Sequence, residues 1–183
     1  MMEKIILVGK YAPDFEIPGT DGEVHHFASY LEKYKAIAVV FMSNKCPHVN
    51  AYLERLKQIQ NDFSNQDFMM IGINSNDAKQ VPEDNFELMK TFAQEKNLNF
   101  PYLRDTTEDV ARSFKATNTP EVFLINQDWT IVYQGQIDDN SQNPDQVKNA
   151  YLRDNIKALL AGEDITIKST DGMGCEIKLR PRN

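Results

Sequence analysis

The sequence predicts an α/β fold in which a central mixed β-sheet is flanked by helices, and three observations lead there. Apolar, β-branched runs at 36–42 and 68–74 read as strands buried on both faces. Between them, Val49, Tyr52, Leu53, Leu56, Ile59 and Phe63 recur at helical spacing, with Glu54, Arg55 and Lys57 on the opposite face. Further on, 121–125 and 130–134 flank Asn126-Gln127-Asp128 as an antiparallel hairpin, which makes the sheet mixed.

The remaining elements follow from turn chemistry and periodicity. Pro13, Pro18, Gly19 and Asp21-Gly22 break residues 1–27 into short extended pieces, an N-terminal β-extension. The opening MMEKIILVGK lacks a long apolar core and a small-residue cleavage site, so it reads as an ordered strand rather than a signal peptide. His25 and His26 are adjacent in a strand, face opposite sides, and are read as structural. A short helix is expected over 28–34, and the helix after Pro47 runs to about residue 64. Another spans 85–96 with Phe86, Met89, Phe92 and Ala93 inward, and the methionines Met69, Met70 and Met89 read as core filler. Asp105 or Thr106 is expected to cap the helix carrying Val110, Ala111 and Phe114. A last helix is expected over 146–161, stopped by Gly162.

Bulk properties exclude several classes of function. The 183 residues suit one domain over 1–183, with 163–183 a C-terminal tail that carries the second cysteine. A formal net charge of −7 argues against nucleic acid and against an anionic membrane as the main partner. The longest apolar run is too short to span a bilayer. Two cysteines do not make a disulfide scaffold; in a reducing cytoplasm, the expected location, such a pair is catalytic or redox-sensing.

Cys46 is the centre of the functional reading. It follows a buried strand and directly precedes Pro47, which suits the first position of a helix because proline has no N–H to leave unpaired. Cys46 then sits at the N-cap, facing unpaired backbone N–H groups. The thiolate is the nucleophile, and a helix N-terminus lowers a cysteine pKa from its ordinary ~8.5. A two-unit shift needs roughly 2.7 kcal/mol. A helix dipole supplies about 0.3–1 and at most ~2 kcal/mol, so a neighbour must contribute, and Ser43, Lys45 and His48 are the candidates. Tyr52 is read as core, with a place near the site as the alternative.

The chain resembles the thioredoxin-fold redoxins, the group that contains the AhpC/TSA peroxiredoxin-like and thioredoxin-like proteins. The likeness rests on VGKYAPDFEIPGTDG, VVFMSNKCP, FPYLRDTTEDVARSF, TPEVFLIN and GCEIK, spread over most of the length. It implies a thioredoxin-like fold with Cys46 as the attacking cysteine. It also implies a cis-proline turn at Thr119-Pro120 that presents backbone to an extended substrate, and a peroxide-contacting role for Ser43. The departures are equally specific. Val49 replaces the second cysteine of Cys-x-x-Cys, and Asn44-Lys45 replaces the tryptophan that usually precedes the thioredoxin cysteine. Val39 replaces the peroxiredoxin proline. The peroxiredoxin arginine is missing near Pro120, leaving Arg55, Arg104 or Arg112 as spatial substitutes.

With Val49 unable to resolve a mixed disulfide or sulfenic acid, Cys175 is the one remaining thiol. Its glycine-rich setting, Asp171-Gly172-Met173-Gly174-Cys175, reads as a flexible exposed segment that reaches Cys46 in cis or across a homodimer. The alternative is that Cys175 merely packs a β-segment over 176–179. The leading expectation is a thiol-based oxidoreductase and antioxidant protein that reduces disulfides or peroxides. It needs no cofactor and no metal, and draws electrons from thioredoxin or a small thiol. Two rivals stand beside it. A non-catalytic binding protein of the same fold would show a Cys46 of ordinary reactivity. A copper chaperone would use Cys46, His48 and Cys175, against which Val49 argues.

Overall fold

The computed structural model describes residues 4–182. In chain order its elements are β1 (Glu16–Pro18), β2 (Val24–His26), α1 (Phe27–Lys33), β3 (Ala36–Phe41), α2 (Pro47–Phe63), β4 (Phe68–Asn74), α3 (Phe86–Glu95) and β5 (Tyr102–Arg104). They continue with α4 (Asp109–Phe114), β6 (Asn118–Thr119), β7 (Glu121–Asn126), β8 (Ile131–Gly135), α5 (Tyr151–Leu160) and β9 (Cys175–Glu176).

The main sheet has the order β5-β4-β3-β7-β8. The β3–β4 and β4–β5 pairs are parallel; β3–β7 and β7–β8 are antiparallel, so the sheet is mixed. All six residues of β3 are buried, and strand alternation divides them between two cores. Ala36, Ala38 and Val40 pack with Val49, Leu53 and Leu56 of α2 and Leu152 and Ile156 of α5. Ile37, Val39 and Phe41 pack with Phe27 and Leu31 of α1 and with Val110 and Phe114 of α4. Coverage of both faces is what the unbroken apolar run requires. Truncating fully buried Leu56 to Ala would cost about 2–5 kcal/mol through lost burial and the cavity left behind.

Several expected boundaries move, each for a local reason. Residues 4–8 form no regular strand: Gly9 N donates to Ile131 O and Leu7 N to the Gln134 side chain, so they lie along β8 through single contacts. β1 and β2 do pair, and His25 and His26 diverge, the first to Asp21 and Tyr30, the second to Glu16. Asn85 caps α3 by accepting from Leu88 N at 2.9 Å. Phe86 is only half-buried, with the Lys90 ammonium over its ring. The N-cap of α4 is Glu108, not Asp105 or Thr106. Asp105 nevertheless accepts from Ala111 N at 2.9 Å and Val110 N at 3.3 Å, capping from outside the helix. The last helix starts at Tyr151 rather than 146, because Asp139 takes the N–H groups of Lys148 and Asn149 and turns that stretch away from helix.

Candidate active site

β3 delivers the chain to the carboxyl edge of the sheet, and Ser43, Asn44 and Lys45 carry it into α2. Cys46 is the N-cap in extended conformation and Pro47 is the first helical residue. The cysteine is 3 % exposed, and its carbonyl accepts from Asn50 N at 3.1 Å to start the helix. Its Sγ lies 3.2 Å from Thr119 O and is joined to Cys175, with the two Cα atoms 6.0 Å apart, within the ordinary disulfide range.

The partner cysteine is held by pairing. β6 and β9 form an antiparallel ladder in which Asn118 faces Glu176 and Thr119 faces Cys175. The Thr119–Pro120 peptide bond that follows β6 is cis. Beyond the ladder, Ile177 N donates to Thr117 O, Lys178 N to Asn76 Oδ1, and Arg180 N to the buried Glu108 carboxylate. Lys178 O accepts from Asp77 N at 2.7 Å. The expectation of a flexible, exposed segment is therefore corrected: Cys175 is half-buried in a strand that the rest of the tail anchors. Its neighbouring glycine serves close approach. Gly174 has φ +150°, and a Cβ there would fall on the Thr119 carbonyl.

Asp84, fully buried, organises the loop before Cys46. It accepts from Ser43 Oγ at 2.6 Å, from Asn44 N at 2.7 Å and from Asn76 Nδ2 at 2.8 Å. A serine has one O–H to give, so Ser43 does not donate to Cys46, contrary to its expected role there. The Lys45 ammonium lies 3.3 Å from Glu83 and is exposed. Glu83 itself is held below the usual carboxylate range, first by its own backbone N–H and then by Lys45. Of the three candidate arginines, Arg104 is buried under this loop and donates to Asn76 O and Asp84 O, while burial lowers its pKa. Arg55 is spent on Asp138 and the carbonyls of Asn140 and Ser141, and Arg112 on Glu108 and Arg180 O.

Two hollows flank the cysteine pair. An open groove of about 410 Å³ is lined by Ser43, Lys45, Cys46, Pro47, Cys175 and Lys178. A smaller one, about 240 Å³, lies against Pro120, His48, Tyr52, Asp138 and Met173. Tyr52 serves both readings given to it: buried in the core, it also reaches this hollow and donates to Asp138 Oδ1 at 2.9 Å. Burial, and secondarily the Asp138 carboxylate, push its phenol pKa up. Asp84, Asn76 and Asp138 were not singled out by sequence reasoning. All three lie in polar stretches between elements, where nothing in the spacing separates an organising carboxylate from an ordinary loop residue. Among the described residues, no three His, Cys, Asp or Glu side chains gather as a metal ligand set.

A cysteine at a helix mouth beside a cis-proline, in a mixed sheet of this order, defines a protein of the thioredoxin-like fold. The family model described as AhpC/TSA matches residues 8–134, and the chain belongs to the AhpC/TSA family. It is similar to an uncharacterized conserved protein from Geobacillus kaustophilus, with 35% identity over 100% of this chain and 97% of that one, TM-score 0.91. It is similar also to the hypothetical protein SMc02350 from Sinorhizobium meliloti 1021, with 34% identity over 96% of each chain, TM-score 0.89. Peroxidoxin BcpB from Mycobacterium tuberculosis shares the fold at 17% identity, over 86% of this chain and 98% of that one, TM-score 0.64. Family and fold together support a thiol-redox function. No described helix is long and apolar enough to cross a membrane.

Proposed function

We propose that the protein is a two-cysteine thiol oxidoreductase of the cytoplasm that reduces disulfides, with Cys46 attacking and Cys175 resolving inside one chain. The observation that carries this reading is the pairing of the two sulfurs at the helix mouth, Cys175 being supplied by a strand laid against Thr119. In the reduced protein the Cys46 thiolate attacks one sulfur of the substrate disulfide, and the other sulfur leaves as thiolate. Cys175 thiolate then attacks Cys46 Sγ; the bond from that sulfur to the substrate breaks and the second substrate thiolate leaves. Protons taken up by the two leaving thiolates come from the two protein thiols, so the substrate gains two electrons and two protons. A thioredoxin-type dithiol or two equivalents of a small thiol reverse the closure.

Disulfide is favoured over peroxide by the hydrogen-bond donors. Peroxide cleavage is helped by a hydrogen-bond donor for the departing oxygen, and the resemblance implies a peroxide-contacting Ser43 with an arginine nearby. Here the Ser43 hydroxyl donates its hydrogen bond to Asp84, and Arg55, Arg104 and Arg112 are bound to other acceptors.

The deciding measurement is mass spectrometry of the reduced protein after one equivalent of a small disulfide or of hydrogen peroxide, with and without added dithiol. Expected is a Cys46–Cys175 link that forms at least tenfold faster with the disulfide and opens with the dithiol. Faster closure with peroxide would reassign the substrate. Full turnover by Cys46→Ser would end the reading.

A further inference from the structure

Asn76 lies where the segments carrying the two cysteines meet. The residue is 4 % exposed and both ends of its side-chain amide are used. Nδ2 donates to Asp84 Oδ2 at 2.8 Å, the carboxylate that also holds Ser43 Oγ and Asn44 N. Oδ1 accepts from Lys178 N at 2.8 Å. The amide can be oriented only this way round: reversed, its oxygen would face a carboxylate and its NH2 a backbone N–H. Ser43 precedes Cys46 by three residues and Lys178 follows Cys175 by three. One buried amide thus ties the approach to one cysteine to the exit from the other. Asn76 is fixed in turn: Asn76 N donates to Asn74 Oδ1 and its carbonyl accepts from Arg104.

We propose that Asn76 is a positioning residue for closure of the Cys46–Cys175 disulfide, keeping Cys175 beside Cys46 while both are reduced or while Cys46 carries substrate. The inference rests on the proposed resolving role of Cys175. In the step it serves, the S–S bond between Cys175 and Cys46 forms as the Cys46–substrate S–S bond breaks, the electron pair leaving on the substrate thiolate. The two cysteines are 129 residues apart in sequence. A loop of that length, left flexible, brings its ends together at low effective concentration, whereas a fixed geometry raises it by orders of magnitude.

The test is equilibration of the full chain in buffers of reduced and oxidised glutathione, with the linked fraction counted by thiol trapping and mass spectrometry. Asn76→Ala removes both halves of the tie. Lys178→Pro removes the N–H that Asn76 accepts from together with the lysine side chain, and Lys178→Ala removes that side chain while keeping the N–H. Expected is a fall of at least tenfold in the closure constant for Asn76→Ala and Lys178→Pro, about 30 mV for a two-electron couple, with Lys178→Ala within twofold of the parent. Circular dichroism establishes that each variant is folded. Should Asn76→Ala fail to fold, Lys178→Pro against Lys178→Ala decides alone. Closure constants within twofold of the parent for folded Asn76→Ala or Lys178→Pro overturn the positioning role, as does an equal loss in Lys178→Ala. A parent chain that never links Cys46 to Cys175 in any buffer removes the resolving role itself, a distinct result.

Discussion

Thr119 and Cys175 are Cα partners in the two-residue β6–β9 ladder, and the Thr119 carbonyl oxygen also lies 3.2 Å from Cys46 Sγ. One residue therefore borders both cysteines, and its backbone sets the spacing between them. The tail occupies a strand edge beside the cis-proline, the place where the family resemblance puts an extended substrate.

Gly174 is the point at which this arrangement is most easily broken. Gly174→Ala adds a Cβ that meets the Thr119 carbonyl, at a φ that L-residues rarely adopt. Local strain of about 1–3 kcal/mol corresponds to roughly a fivefold to 150-fold loss in the equilibrium linking of Cys46 to Cys175. Thiol trapping in a glutathione buffer checks it, and linking equal to that of the parent chain would refute it.

Reduction should lower thermal stability. Cys46 and Cys175 are 129 residues apart. In the chain-entropy account a loop of that size stabilises the folded state by up to about 5 kcal/mol. At roughly 2–4 °C per kcal/mol for a chain of this size, the oxidised form should melt up to about 10–20 °C higher. Calorimetry with and without dithiol, and on Cys175→Ser, measures the difference; equal melting temperatures would contradict it.

Asp84→Ala should damage stability and site together. Ser43 Oγ, Asn44 N and Asn76 Nδ2 lose their shared acceptor in a buried setting. At about 1–3 kcal/mol for each of the three donors left unsatisfied, the loss is on the order of 3–9 kcal/mol by urea unfolding, with closure of the disulfide slowed as well. A change below about 1 kcal/mol would show that water takes over the vacated contacts.

Alkaline pH should destabilise the fold through its tyrosines. Burial raises the phenol pKa of Tyr52, Tyr102 and Tyr133, and pushes Tyr30 up to about 12 with help from the Asp21 charge. A phenol that stays neutral when folded but ionises near pH 10 when unfolded contributes stability that is full below pH 10 and lost as pH rises. For each of Tyr52, Tyr102 and Tyr133 the slope is about 1.4 kcal/mol per pH unit above 10. Ultraviolet titration of tyrosinate alongside circular dichroism tests this. All seven tyrosines ionising near pH 10 without unfolding would refute it.

The sheet and the placement of Cys46 were legible in the sequence because local signals carry them. An apolar run buried on both faces marks β3 and β4, and Cys46 before Pro47 marks a helix mouth. The site's second half was not legible. Glycines around Cys175 read as flexibility, whereas Gly174 is there for close approach to Thr119. Proximity in sequence points Ser43 at the cysteine, because no spacing rule shows that Asp84, forty-one residues away, accepts its hydrogen bond. Helical periodicity predicts the final helix from 146, but it cannot register that the N–H groups of Lys148 and Asn149 go to Asp139 and delay the start to Tyr151. Pairings across long stretches of chain decide such points, and local pattern is blind to them.

The matched family segment ends at residue 134, whereas Cys175 and its strand come some forty residues later. The segment that the family model matches and the portion proposed to let the chain turn over more than once are thus separate pieces of polypeptide. If Cys175 resolves as proposed, clipping away the last dozen residues would spare the matched segment and leave a reagent consumed after a single encounter, unless an outside thiol took over the vacated position.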